Sequence, residues 1–215
     1  MRLILMSDTH NEHASLKVPE GDVLIHAGDF TVRGTPEEQE GFLDWFCALP
    51  HWRKVLISGN HDTYSATKEG FQDLLSRNIY YLLDSLVEID GVTFYGTPHV
   101  PVQVGGKPGG PYWAFGHHRQ SASLQRMRED IPEGVDVLIT HSPPYGTLDT
   151  ALGPSSAGCE LLERRVAEVK PRVHVFGHIH EAYGVSGWYG DTISINASID
   201  RRPEKTLNPA IKLDL

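Results

Sequence analysis

The stretch that decides the architecture is Val173–Glu181, VHVFGHIHE. An apolar run of strand type, Val173–Phe176, breaks at Gly177, and His178 and His180 follow with one residue between them. Side chains at i and i+2 of an extended segment leave the same face. The two imidazoles are therefore expected to aim at one place, at the end of a strand built for a core.

The same device recurs upstream. Short apolar runs at Leu3–Met6, Val23–His26, Val55–Ile57, Val92–Tyr95, Val135–Ile139 and Thr192–Ile195 have the length and Val/Ile/Leu content of buried strands. Four of them lead into Ser7-Asp8-Thr9-His10, Ala27-Gly28-Asp29, Ser58-Gly59-Asn60-His61-Asp62 and Thr140-His141. Open α/β sheets hold ligands and active groups at such strand ends. Singly, each cluster has a bland reading. Asp8-Thr9-His10 is a turn and cap, Asn60 a turn residue, and His141 a buried histidine bonded to backbone. Five clusters of Asp, His and Asn at five strand ends are hard to explain by packing. His26 and His174 lie inside the apolar runs and read as core histidines.

Helical segments alternate with the strands. Thr35-Pro36-Glu37-Glu38 joins a capping hydroxyl, Pro at the first position and acids in the first turn. Phe42, Trp45, Phe46 and Leu49 then mark one face. Further helices are predicted over Ala66–Ser76, Ser121–Asp130 and from about Ala157 to Val169, before Pro171. Pro98–Tyr112, with four Gly and four Pro, reads as a long loop. The pattern implies an α/β fold of more than one layer, and 215 residues suit a single domain spanning 1–215.

Composition is that of an ordinary globular protein, with 40% hydrophobic and 22% charged residues. A net charge of -9 argues against tracking a long nucleic-acid backbone, though a local metal site can still draw a small phosphate ester. Cys47 and Cys159 form no C-x-x-C pair, so no thiolate zinc site is suggested. Leu3–Met6 is too short for a signal-peptide core or a membrane span, which makes a cytoplasmic setting the expectation. Oligomeric state is not readable.

Asp8-x-His10, Gly28-Asp29, Gly59-Asn60-His61-Asp62, His141 and Gly177-His178-x-His180 resemble, in order, the motif set of the calcineurin-like metallophosphoesterases. LIHAGDFT, ITHSPP and FGHIHEAYG are most similar to the branch of the brain metallophosphoesterase-domain proteins and related bacterial phosphodiesterases. The resemblance implies a four-layer αββα sandwich, two facing mixed sheets flanked by helices, with two divalent metal ions at the strand ends. By it, Asp8, His10 and His180 bind the first ion, Asn60, His141 and His178 the second, and Asp29 both. It further implies hydrolysis by attack of a metal-bridging hydroxide, with ions about 3.5–4 Å apart. His61 then serves as acid to the leaving oxygen, and Asp62 either orients it or is an ordinary surface acid. Imidazole and oxygen ligands without thiolate suit Mn, the favoured ion, as well as Fe, Co, Ni or Zn.

For the substrate, the protein-phosphatase branch shows an Asp where this chain has Val32, and the nuclease branch adds a cap domain. A small phosphodiester, such as a cyclic nucleotide, fits best by resemblance; a phosphomonoesterase or protein phosphatase of the same fold is the alternative. Scaffold members that have lost catalysis are disfavoured by His61 and a complete ligand set. Trp113, Phe115, His117, His118 and Arg119 either contact the substrate or pin their loop to the core.

Overall fold

A computed structural model describes residues 1–102, 108, 110, 112–151, 156–201 and 206–215. In chain order, β1 (Arg2–Met6), β2 (Val23–Ala27), α1 (Pro36–Ala48), β3 (Arg53–Ile57) and α2 (Lys68–Ser76) come first. They are followed by β4 (Tyr80–Tyr81), β5 (Ser85–Ile89), β6 (Val92–Thr97), β7 (Val100–Val102), β8 (Gly116–His118) and α3 (Ala122–Glu129). Then come β9 (Val137–Thr140), α4 (Glu160–Val169), β10 (Val173–Phe176), β11 (Gly184–Tyr189) and β12 (Thr192–Asn196). The short β13 (Asp200–Arg201) and β14 (Thr206–Leu207) precede β15 (Ile211–Asp214).

The strands build two large mixed sheets. The first has the order β15-β1-β2-β3-β4, parallel except for β15; the second runs β11-β12-β10-β9-β6-β5, parallel except at its two edges. Strand alternation sorts the side chains into layers. Leu3, Leu5, Ile25, Val55 and Ile57 meet Phe94, Val137, Ile139, Val173 and Val175 between the sheets. From the opposite face of the first sheet, Ile4, Met6, Leu24 and Leu56 pack on Phe42, Leu43 and Phe46 of α1 and Leu74 of α2. Tyr95 and Leu138, on the outer face of the second, meet Leu124 of α3 and Leu161, Leu162 and Val166 of α4. The result is the expected αββα sandwich.

Local signals hold where they rest on caps. Thr35 Oγ1 accepts from the Glu38 amide at 3.3 Å, and α1 starts at Pro36. Two expectations need correction. Val100–Val102, inside the segment read as loop, pairs in parallel with β8. Residues 103–107, 109 and 111 of that segment lie outside the described residues. The last predicted helix begins at Glu160, because Cys159 and Tyr145 spend their amides on backbone bonds between the 143–145 and 157–159 segments. No helix among the described residues is long and apolar enough to cross a membrane.

His26 and His174 are fully buried core residues. The Gly28 amide donates to His26 Nδ1 at 3.2 Å, and His174 Nε2 donates to Thr140 Oγ1 at 2.9 Å. The Thr140 hydroxyl is itself committed to Ser142 O at 2.7 Å, so the proton of that pair belongs to the imidazole. Burial, with the Arg128 charge adding to it, pushes His174 down to about 3. A histidine neutral in the fold and protonated in the unfolded chain contributes stability above about pH 6.5 that is lost as the pH falls toward 3. In urea unfolding between pH 6 and 4, wild type should therefore lose up to about 1.4 kcal/mol per pH unit more than His174→Gln, whose amide keeps the Thr140 bond. Equal slopes would mean that His174 is not held neutral.

Candidate metal centre

The parallel strands deliver the polar clusters to one end of the sandwich. Asp8 and His10 follow β1, Asp29 follows β2, and Asn60 and His61 follow β3; His141 follows β9, and His178 and His180 follow β10. The chain turns sharply there. Asp8 (φ 55°), His10 (φ 40°), Asp29 (φ 55°) and His178 (φ 70°) are all left-handed, a conformation uncommon outside glycine and found at functional sites. The segment after Gly177 is thus not extended, and the expected same-face geometry of His178 and His180 does not apply. His178 is left-handed and His180 opens a 3-10 turn, so the two rings go to different groups.

Two groups form. Asp8, His10 and His180 bring one ligand atom each to within 4.8 Å of one another, and Asp29, His141 and His178 do the same. Asp29 lies between them, its Oδ2 3.2 Å from His141 Nε2 and 3.8 Å from His10 Nε2. Asn60 Oδ1 joins the second group at 3.2 Å from His141 Nε2. Glycines make the approach possible. A Cβ on Gly177 would collide with Ser7 and Asp8, and one on Gly59 with Asp29 and His141.

Hydrogen bonds set the tautomers. Nδ1 of His10 faces Thr31 O at 2.9 Å, and Nδ1 of His141 faces Ala27 O at 2.8 Å. A carbonyl cannot donate, so both Nδ1 atoms carry protons and each neutral ring turns an Nε2 lone pair inward. His180 Nδ1 lies 3.6 Å from Asp200, too long for a hydrogen bond, and its Nε2 lies 3.3 Å from Asp8 Oδ1. The Nε2 atoms of His10 and His180 approach to 3.3 Å, and among the described residues His141 Nε2 meets the acceptors Asp29 Oδ2 and Asn60 Oδ1. Buried lone pairs facing one another need a cation between them, and two divalent ions fit this donor set. In their absence a proton must serve. Burial opposes charge on His141, but Asp29 outweighs it and pushes His141 up to about 9. Burial takes His178 down to about 3, with His141 adding to the effect.

Asp62 differs from the expectation. It does not touch the His61 ring. Its carboxylate, buried beneath the site, accepts from the amides of Gly59 (2.7 Å), Asp29 (2.9 Å) and Thr31 (3.0 Å) and from the Thr31 hydroxyl (2.7 Å). Burial and the neighbouring Asp29 charge push it up to about 7, against these four donors. It is neither the orienter of His61 nor a surface acid. The Val32 carbonyl orients His61 instead, 2.8 Å from Nδ1.

A cavity of about 440 Å³ opens over both groups, bordered by Asn60, His61, Tyr112, Trp113, His178, His180 and Glu181. Of the aromatic and basic residues between 113 and 119, Trp113 borders it and approaches His178 at 6.4 Å between ring centroids. Phe115 packs near His99, and His117 bonds to His99 at 3.0 Å. Arg119 clamps the carbonyls of Ala157 and Gly158 and pairs with Glu160. These three serve the scaffold. Two contributors escape sequence reading. Tyr112 is one aromatic in a Gly/Pro-rich run with no periodicity to single it out. Asp200 lies just beyond β12, where the strand-then-carboxylate rule applied to one more strand would have reached it.

Residues 1–182 match the family described as calcineurin-like phosphoesterase. The chain is 39% identical over 240 residues to human "Metallophosphoesterase domain-containing protein 1", which covers all of this chain and 71% of that protein. It is 36% identical over 214 residues to a UPF0046 protein of Caenorhabditis elegans, covering 92% of this chain and 69% of the relative. The solved structure of the phosphopantetheinyl hydrolase PptH from Mycobacterium tuberculosis superposes with a TM-score of 0.61 at 16% identity, over 97% of this chain and 95% of that one, a likeness of fold. With a family match across most of its length and relatives of this identity, the chain belongs to the calcineurin-like phosphoesterases.

Proposed function

We propose that the chain hydrolyses small phosphodiesters with two divalent ions, manganese favoured. The observation that carries the reading is the opposition of buried lone pairs in two groups that share Asp29, beneath a cavity edged by His61. In this reading Asp8, His10 and His180 hold one ion, Asn60, His141 and His178 the other, and Asp29 both. When bound, such a pair supplies positive charge for the phosphoryl oxygens and a nucleophile from water at neutral pH. Asn60 contributes oxygen without charge, so two dications against Asp8 and Asp29 keep a positive surplus for an anionic ester. His61 donates Nδ1–H to Val32, which leaves Nε2 on the cavity side to hold the proton that a leaving oxygen needs. A cavity of about 440 Å³ suits a small ester better than a macromolecule. The departure at Val32 from the protein-phosphatase pattern supports the diester over the monoester.

Loading with Mn²⁺ should approach two ions per chain, and His178→Ala and His180→Ala should each empty a different one. Depletion of the same ion by both would sink the two-ion assignment. A second test concerns the reaction. Bis(p-nitrophenyl) phosphate should be preferred to p-nitrophenyl phosphate, and the reverse would move the reading to a monoesterase. General acid catalysis is worth about 10²–10⁴-fold, so His61→Ala should lose most of that on a diester with an alkoxide leaving group. It should lose visibly less on the nitrophenyl ester, whose leaving group departs unaided, and should keep its metal. Equal losses on both substrates would assign His61 to binding phosphoryl oxygens.

A further inference from the structure

We propose that Tyr112 is a positioning residue that sets two consecutive site residues at once. Its carbonyl fixes which end of the Asn60 amide faces the second ion, and its ring holds the His61 imidazole. The inference rests on the roles given to Asn60 and His61 above.

Asn60 has two unlike ends, an oxygen that can ligate a cation and an NH₂ that cannot. Its Nδ2 donates to Tyr112 O at 2.8 Å, which commits Oδ1 to the side of His141. The main chain repeats the tie, since the Ala114 amide donates to Asn60 O at 3.0 Å. The two segments are therefore bracketed on both sides of Trp113.

His61 is held on three sides. Val32 O fixes Nδ1, the His10 ring meets it edge-on at 4.8 Å and 80°, and the Tyr112 ring stacks on it at 5.1 Å and 30°. The first two walls follow β1 and β2, whereas the third comes from the connection between β7 and β8. Tyr112 reaches both neighbours because its backbone is left-handed, φ 63°, which turns carbonyl and ring back together. It is the Tyr112 ring that makes the contact to His61.

Three variants separate the parts. Tyr112→Phe keeps ring and backbone. Tyr112→Gly adopts positive φ freely, so it keeps the carbonyl and removes the ring. Tyr112→Pro forbids positive φ and displaces the carbonyl. Three readouts apply: His61 ring-proton shifts in metal-free protein, Mn²⁺ affinity of each site by titration, and kcat and KM on an alkyl diester. Phe should match wild type in its His61 resonances and in its affinity for both ions. Gly should move the His61 resonances, lower kcat about 10–100-fold with KM little changed, and bind both ions normally. Pro should in addition weaken the second ion about 10–100-fold, the usual loss when a ligand's own hydrogen-bond partner goes.

Unmoved His61 resonances and wild-type kcat in Tyr112→Gly overturn the role of the ring. Normal affinity for both ions in Tyr112→Pro overturns the role of the carbonyl. If the proline variant does not fold, exchange of the Asn60 side-chain amide protons in wild type decides: protection supports the bond, and free exchange overturns it. His61→Ala at full activity would refute the acid assignment alone, since resonances and Mn²⁺ titrations still judge Tyr112.

Discussion

Opposed lone pairs are the constraint around which this end of the molecule is built. Imidazole nitrogens that face each other across 3.3 Å, or face carboxylate and amide oxygens across 3.2 Å, repel unless something positive lies between them. The fold does not let them turn away. Carbonyls of Thr31 and Ala27 pin the far nitrogen of His10 and of His141, and His10 sits where β1 has just ended in left-handed backbone. Strain, burial and fixed tautomers, each unfavourable in an ordinary core, share one small region. They become mutually consistent where a cation, or a proton in its place, lies among the ligand atoms.

Asp62 shows how such a region is supported from below. A carboxylate without a cationic partner is costly to bury, and the Asp29 charge adds to the cost. Four short hydrogen bonds offset it, and three of them come from backbone amides of the two turns that follow β2 and β3. One side chain thus substitutes for the strand pairing that those turns have given up. Its neighbour Asp29 is left with a fixed backbone and an Oδ1 that receives the His61 amide at 2.8 Å.

Much of this was legible in the sequence because the signals were local and repeated. An apolar strand, a small residue and then a ligand-type side chain marks Asp8, Asp29, Asn60, His141 and His178 in turn, and the glycines answer to close approaches at Gly59 and Gly177. The layers followed from strand alternation, and α1 from its cap. Tertiary choices were hidden. Nothing local distinguishes an Asp62 that binds three amides from one that orients a histidine, since both sit one residue beyond His61. The i, i+2 argument failed at His178 because it assumed extended backbone where the chain turns left-handed. Val100–Val102 reads as loop because its strand partner lies on the far side of a Gly/Pro-rich run. Tyr112 acts through a stack and a carbonyl, and a carbonyl leaves no trace in residue type.

Each of the two ligand groups draws from both sheets. Asp8 and His10 of the first sheet meet His180 of the second, and Asp29 of the first meets His141 and His178 of the second. Elsewhere the facing layers adhere through apolar contact, which is tolerant of small sliding. An ion held by either group would act as a rivet through that seam, opposing shear between the sheets at this end alone. The seam would then be tied at one end, with its hold following the free ion concentration of its surroundings.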